Sequence, residues 1–303
     1  MMKPEELRSR FGGVVAFPTT PFKKDLSLDV EGLRKNLQHT AKFPFCAVVA
    51  GGGTGELYSL DVAELRKVVE EAVAVFGGKI PVIAGAGGSL PIAQAMARQA
   101  AEAGADGILA LPPYYPSPSD DGIVEYYKAI GQATPLGLLV YGRDWFNPGP
   151  ELVARLASSI PTLIAWKDGQ GDLRRYQMIR QRVGDRLYWI GGAGDDMVPG
   201  YYAMGIRTYT SSIATVAPAL AMALDKAGVA GDAATLAKLM SEYVIPLYAL
   251  RARKKGYEVT AMKVAMDAVG LVGGAVRPPL PPVTAQEVEE IKAMMGRWTA
   301  FLG

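Results

Sequence analysis

Leu163-Ile164-Ala165-Trp166-Lys167 is apolar up to its last residue and is followed at once by Asp168-Gly169-Gln170-Gly171-Asp172. A short continuous apolar run bounded by turn residues reads as a strand covered on both faces, the kind found in parallel sheets. A lysine closing such a strand is costly to leave buried and unpaired. Burial lowers an ammonium's pKa, and a neutral amine can attack a ketone to form a Schiff base. An ion pair of Lys167 with Asp168 or Asp172 is the other reading open at this point.

Seven further runs flank it, at 13–17, 45–50, 80–84, 107–111, 136–141, 187–190 and 208–211. Helical patterns fill the gaps. Val62, Leu65, Val69 and Ala72 share one helical face, and Asp61 with Glu64 has capping-box spacing just before it. Gly104-Ala105-Asp106-Gly107 breaks the next helix and leads into the strand at 107–111. Eight β-then-α units in roughly 230 residues fit a (β/α)8 TIM barrel of the α/β class better than an open doubly wound sheet. Past residue 231 there is more helix than a barrel needs, at 236–250, 259–269 and 285–301. The expected organisation is a catalytic barrel over 1–230 and a C-terminal helical extension over 231–303 packed on it. Arg277-Pro278-Pro279-Leu280-Pro281-Pro282 reads as a stiff spacer before the last helix.

The 303 residues are half hydrophobic, with 32 basic and 30 acidic side chains, an ordinary globular balance. A net charge of +2 gives no electrostatic case for nucleic acid or membrane binding. Cys46 is the only cysteine and sits in an apolar run, so no internal disulfide can form and core filling is expected. Met1 to Arg10 lacks an apolar signal core, and no run approaches the roughly 18 residues of a membrane span, so a cytoplasmic location is the expectation. His39 is the only histidine and falls within a helix pattern, as a surface or packing residue. Without a cysteine cluster or a close His-carboxylate grouping, zinc and a Ser-His-Asp triad are poorly supported. Magnesium on Asp168 or Asp172 stays open, although two acids beside a lysine more often tune or pair it. Asp195-Asp196 reads as a helix cap.

In a barrel the reactive residues gather at the C-terminal strand ends. There lie Gly51-Gly52-Gly53-Thr54-Gly55-Glu56, Tyr141-Gly142-Arg143-Asp144, Lys167 and Thr210-Ser211-Ser212. The glycine loop lacks the Gly-Lys-Ser/Thr ending of a nucleotide P-loop. It suits a small carboxylate held by backbone N–H groups and the Thr54 hydroxyl, or else it is a tight turn that lets the next helix pack. Tyr141, on the strand next to Lys167, can move protons as a general acid and base, or fill core with a satisfied hydroxyl.

These residues together resemble the dihydrodipicolinate synthase / N-acetylneuraminate lyase superfamily of Schiff-base lyases over nearly the whole chain. Gly52-Gly53-Thr54-Gly55-Glu56 is similar to its Gly-Thr-Thr-Gly-Glu carboxylate loop, Tyr141 matches its catalytic tyrosine, and Lys167 matches its Schiff-base lysine. Ala16-Phe17-Pro18-Thr19-Thr20-Pro21-Phe22, Lys167-Asp168-Gly169-Gln170-Gly171-Asp172, Thr208-Tyr209-Thr210-Ser211-Ser212 and Val276-Arg277-Pro278-Pro279-Leu280 resemble one branch, the 5-dehydro-4-deoxyglucarate dehydratases. The usual synthase lysine is followed by Glu-Ala or Glu-Ser, not Asp168-Gly169. The chain departs from the pattern at Gly53, which replaces the first threonine of the loop. It departs again at Gly142 and Trp145, where the branch tends to have asparagine, and at Ile213 to Ala217.

The resemblance implies decarboxylating dehydration of 5-dehydro-4-deoxy-D-glucarate to 2,5-dioxopentanoate, CO2 and water. Lys167 would carry the covalent Schiff base, so no metal or organic cofactor is called for, and Tyr141 would handle protons. Thr54 and the Gly53 N–H would hold the carboxylate beside the ketone. Arg143 and Ser212 would meet the distal carboxylate and hydroxyls, or else pair locally, Arg143 with Asp144 and Ser212 at its strand end. The family's habit implies a homotetramer, a dimer of dimers, in which Tyr115 resembles a tyrosine that some members insert into a neighbour's site. The partner would be a small keto sugar acid, with no nucleic acid or membrane. Three alternatives stay open: an aldolase or dehydratase for another 2-keto-3-deoxy sugar acid, a dihydrodipicolinate synthase-like lyase, and a non-catalytic keto-acid-binding protein.

Overall fold

The computed structural model describes residues 2–114 and 118–302. Eight parallel strands pair in chain order into a closed barrel. They are β1 Gly13–Ala16, β2 Ala47–Ala50, β3 Val82–Ala86, β4 Gly107–Ala110, β5 Gly137–Gly142, β6 Leu163–Asp168, β7 Tyr188–Gly191 and β8 Thr208–Ser211. β8 closes on β1, with Val15 opposite Thr210 and Ala16 opposite Ser211. A helix follows every strand, from Val30–Thr40 after β1 to Pro218–Ala230 after β8, so the architecture is a (β/α)8 TIM barrel.

Alternation along the strands divides the core in two. Val15, Phe17, Val49, Ile83, Leu109, Leu139, Tyr141, Ile164 and Ile190 form the inner cluster. Their neighbours, among them Val48, Ala84, Ile108, Val140, Trp166 and Tyr209, pack outward under the helices. Except in β8, where Thr208, Thr210 and Ser211 are buried polar residues, both faces of the strands are largely apolar, which is why most of them read as continuous runs. Leu7, on the short helix Pro4–Ser9, and Phe11 join the inner cluster. A Cβ at Gly107, where β4 begins, would collide with Leu7, so these residues fill the N-terminal end of the barrel. Cys46 packs against this cluster, as its apolar run suggested.

The strand expected at 80–84 runs instead from Val82 to Ala86. The N–H groups of Lys79 and Ile80 both go to the Phe76 carbonyl, which ends the preceding helix. Pairing with β4 continues through Gly85 and Ala86. Only glycine fits at Gly85, because a Cβ there would run into the Gly51 carbonyl oxygen.

The helix Val62–Phe76 opens on the expected capping box, with the Glu64 N–H donating to Asp61 at 2.8 Å and the Asp61 N–H donating to Glu64 at 3.2 Å. Past Gly231 the turns Ala233–Leu239, Met240–Val244 and Ile245–Arg251 follow without a break, the middle segment in π geometry. Pro246 removes one N–H from this run just after the wider turn. The helices Tyr257–Ala268 and Ala285–Arg297 complete the tail, and Leu247, Leu250, Met262, Met266 and Trp298 bury their side chains in the outer core. Among the described residues, no helix is long and apolar enough to cross a membrane.

Candidate active site

Lys167 sits opposite Tyr141 in the pairing of β6 with β5. Both point into the inner barrel, with Lys167 3 % and Tyr141 8 % exposed. The Lys167 Nζ donates to the Gly192 carbonyl at 3.0 Å and lies 3.3 Å from the Tyr141 ring centre and 5.2 Å from that of Phe17. Among the described residues Lys167 has no carboxylate partner, so the ion-pair reading fails on geometry. Asp168 is the next residue along the strand and faces the other way, accepting from the Tyr201 hydroxyl at 2.7 Å and from the Gln170 and Gly171 N–H groups at 3.1 and 3.2 Å. Asp172 caps the helix Leu173–Val183 through the Arg175 N–H at 3.0 Å. Both acids are thus engaged in local structure, and no group of three or more metal-ligating side chains occurs among the described residues.

Burial holds the Lys167 ammonium well below the ordinary lysine range; the Arg143 charge adds to this and Asp168 pulls the other way. An amine in that state is competent to attack a carbonyl. The Tyr141 hydroxyl donates to the Gly192 carbonyl at 3.4 Å and accepts from Arg143 Nη1 at 3.3 Å. Burial raises the phenol's pKa, while Arg143 opposes that rise. Burial thus favours the protonated phenol, with the Arg143 guanidinium set beside its oxygen. Arg143 also pairs with Asp144 at 3.2 Å. Two glycines keep these side chains in place. A Cβ at Gly192 would lie 2.5 Å from Lys167 Cγ and 2.7 Å from its Cε, and one at Gly169 would collide with the Tyr141 ring. Gly142, where the resemblance leads one to expect asparagine, has Trp166 Cζ2 only 2.7 Å from an added Cβ.

The glycines of the loop after β2 differ in what surrounds them. Gly51 has φ +63°, and a Cβ there would collide with Leu65 of the following helix, so this glycine serves packing. Gly53 is different, since an added Cβ would meet nothing within 4 Å. Among the described residues, the N–H groups of Gly53, Thr54 and Gly55 donate no hydrogen bond, which leaves a short row of donors of the kind that holds an anion. Thr20 fixes the loop from below by donating to the Gly55 carbonyl at 2.8 Å. Glu56 anchors its far end in an ion pair with Lys263 of the helix Tyr257–Ala268, with side chains 0 % and 1 % exposed. Burial raises the Glu56 pKa and lowers that of Lys263, each opposed by the partner's charge.

On the β7–β8 side the structure corrects one expectation. Asp195 is not the cap of a helix that follows it. It is fully buried and accepts from the Ser211 hydroxyl, from the Ser212 and Ile213 N–H groups at 3.3 and 3.4 Å, and from the Tyr248 hydroxyl at 3.1 Å. It therefore organises the end of β8. Ser212 in turn accepts from Arg251 Nη1 at 3.0 Å. Sequence reading missed Tyr248, Arg251 and Lys263. All three lie on tail helices, and helical periodicity marks a buried face but not which strand end a polar side chain reaches. Tyr115 lies outside the described residues.

A closed (β/α)8 barrel that gathers a buried amine, a phenol and an N–H-rich loop at its C-terminal mouth defines the class of barrel to which this chain is assigned. The chain belongs to the dihydrodipicolinate synthetase family, whose model matches residues 10–297. It is 37% identical over 303 residues to the "Probable 5-dehydro-4-deoxyglucarate dehydratase" of Bradyrhizobium diazoefficiens, covering 99% of this chain and 96% of that protein. The protein of the same name from Ralstonia nicotianae is 39% identical over 297 residues, 97% of this chain and 96% of its own. Among solved structures, the dihydrodipicolinate synthase of Oceanobacillus iheyensis superposes with a TM-score of 0.91 at 26% identity, covering 98% of this chain and 100% of that one. The sialic acid aldolase of Ruminococcus gnavus gives 0.88 at 23% identity over 97% of this chain and 100% of its own, a likeness of fold alone.

Proposed function

We propose that the chain is a Schiff-base lyase that dehydrates and decarboxylates 5-dehydro-4-deoxy-D-glucarate to 2,5-dioxopentanoate. The observation that carries this reading is Lys167, an amine buried without a counter-ion opposite Tyr141, in a chain whose relatives bear that dehydratase name. The neutral amine adds to the C5 ketone. Tyr141 gives its proton to the departing carbinolamine oxygen, and water leaves as the iminium forms. The iminium acidifies C4, and Tyr141 as phenolate, or a water it orients, removes a C4 proton. The enamine expels the C3 hydroxyl as water. The conjugated iminium then takes up the electron pair released when the C1–C2 bond breaks and CO2 leaves. Proton return and hydrolysis free the product and restore Lys167. The lysine imine is the electron sink throughout, so this route calls for no metal or organic cofactor.

The free N–H groups of Gly53, Thr54 and Gly55, with the Thr54 hydroxyl, suit the carboxylate next to the ketone. Arg143 suits the reacting end, through Tyr141, better than the distal end. The same reading keeps residues 1–230 as the catalytic barrel and 231–303 as an extension that supplies side chains to the mouth, and it carries a cytoplasmic homotetramer with it.

Borohydride reduction in the presence of pyruvate or the sugar acid should add covalent mass at Lys167, and Lys167→Ala should lose both adduct and turnover. A Lys167→Ala variant that still turns over would sink the mechanism. Release of CO2 from 5-dehydro-4-deoxyglucarate supports the dehydratase; release of pyruvate instead would make the chain an aldolase.

A further inference from the structure

Lys167 and Tyr141 share one acceptor, the Gly192 carbonyl, at 3.0 Å from Nζ and 3.4 Å from the phenol oxygen. That carbonyl belongs to the peptide group joining Gly192 to Ala193. A peptide group is a rigid plane, and in the trans form its C=O and N–H point in opposite directions. Whatever holds the Ala193 N–H therefore aims the Gly192 carbonyl. The Ala193 N–H donates to the Tyr201 hydroxyl at 3.1 Å.

Tyr201 is itself fixed. It lies on the short helix Val198–Ala203 and is fully buried. Its ring packs over Gly191, where an added Cβ would collide with it, and meets Tyr176 edge-on with ring centres 6.2 Å apart. Its hydroxyl donates to Asp168 at 2.7 Å, and Asp168 also accepts from the Gln170 and Gly171 N–H groups at 3.1 and 3.2 Å. The chain of donors runs one way, from Ala193 N–H to the Tyr201 hydroxyl to the Asp168 carboxylate. Hydrogen bonds aligned in this way polarise one another, which makes the Gly192 oxygen a stronger acceptor. Gly191 and Gly192 leave the segment conformationally free, since Tyr201 and Lys167 leave no room for a Cβ at either position, so a hydrogen bond has to set the peptide's direction.

We propose that Tyr201 is a positioning residue for the Schiff-base reaction: its hydroxyl latches the Gly192–Ala193 peptide, so that one carbonyl aims both the Lys167 amine and the Tyr141 phenol. This rests on the Schiff-base reading above. Asp168, the residue after the lysine, anchors the latch, which gives the Asp168-Gly169-Gln170-Gly171 turn a role beyond ending β6. Tyr201 acts through the backbone, so its loss falls on rate and not on substrate affinity.

The test compares Tyr201→Phe with Tyr209→Phe in the full chain. Tyr201→Phe keeps the ring over Gly191 and removes only the latch. Tyr209 is equally buried, pairs with Gly191 across β7 and β8, and spends its hydroxyl on the Ala221 carbonyl at 2.8 Å. Each variant loses one buried hydroxyl, and urea denaturation should show similar losses of stability. Imine formation at saturating pyruvate, quenched into borohydride at intervals, should be roughly 10- to 100-fold slower in Tyr201→Phe, the scale of loss expected from a displacement of about 1 Å. The pyruvate concentration for half-maximal trapping should stay within about twofold of wild type. For the sugar acid, kcat should fall by a similar factor to imine formation while KM stays within about threefold. Tyr209→Phe should stay within about twofold of wild type in every kinetic reading. The rate at saturation does not depend on the fraction of chain that is folded, so lost stability cannot imitate slow imine formation. A Tyr201→Phe rate within about threefold of wild type, equal slowing in both variants, or a loss carried by KM alone overturns the assignment. Wild type that forms no adduct with pyruvate refutes the Schiff-base reading itself, a result distinct from those three.

Discussion

Lys167 is paid for in stability. Its ammonium has lost water and gained only a carbonyl and two aromatic rings. The folded chain holds the amine's pKa well below the lysine range, whereas the unfolded chain does not. Between those two values the unfolded state binds more protons, so stability rises with pH. The penalty is therefore complete below the folded pKa and disappears above about 10.4, where an unperturbed lysine also loses its proton. Lys167→Met should abolish activity and stabilise the fold by about 1–3 kcal/mol near neutral pH. Thermal unfolding of both proteins from pH 7 to 10 should show the gap between their Tm values narrowing as pH rises. A gap that is constant or widens would mean that Lys167 is charged in the folded state.

The strands β5, β6 and β7 set the reacting groups against one another through backbone proximity. Gly192 follows β7 and touches Lys167; Gly169 follows β6 and touches Tyr141. Gly192→Ala should cost about 1–3 kcal/mol from overpacking, and it should lower kcat roughly 100-fold because a displacement of about 1 Å is enough to disturb attack geometry. Gly53→Ala has open space around its Cβ and should leave stability within about 0.5 kcal/mol. Urea denaturation and single-turnover trapping separate the two, and equal behaviour would refute the packing argument. The contrast also marks what could be read in advance. Continuous apolar runs marked most of the eight strands, because burial on both faces favours apolar side chains; β8, Thr208-Tyr209-Thr210-Ser211, showed instead through its β-favouring residues and its place in the β-then-α order. β3 slipped by two residues because Gly85 and Ala86 resemble loop, and only the Gly51 carbonyl close to Gly85 explains a glycine inside a strand. Lys167, Tyr141 and the Gly53-Thr54 loop were legible since each sits at a strand end, where the barrel concentrates chemistry. Tyr248 and Arg251 were not, because their partners Asp195 and Ser212 lie on the β7 and β8 ends, far away in the chain.

Across the whole molecule, the tail and the barrel are joined at the site by Glu56 and Lys263. Glu56 ends the loop with free N–H groups and has φ +54°; Lys263 comes from a tail helix and also donates to the Ala275 carbonyl at 2.7 Å. Neither side chain has access to water, so each is tolerable only with the other present. Lys263→Met strands a buried carboxylate and should cost about 3–5 kcal/mol, whereas Glu56→Gln with Lys263→Met removes both charges and should recover most of the loss. The pH dependence of the single variant has a definite sign. Burial already raises the Glu56 pKa, and without Lys263 nothing of comparable strength opposes it. The protonated carboxyl is the form the interior accepts, so the Lys263→Met penalty should be small in acid and grow as pH rises through the raised folded value. Function should follow, because the Gly53-Thr54 loop loses its far anchor: the pyruvate concentration for half-maximal trapping should rise in Lys263→Met and fall back in the double variant. If the double variant unfolds as easily as the single one, the ion pair is not what couples the tail to the Gly53-Thr54 loop, and the buried contacts of Met262 and Met266 on the same helix must carry that coupling instead.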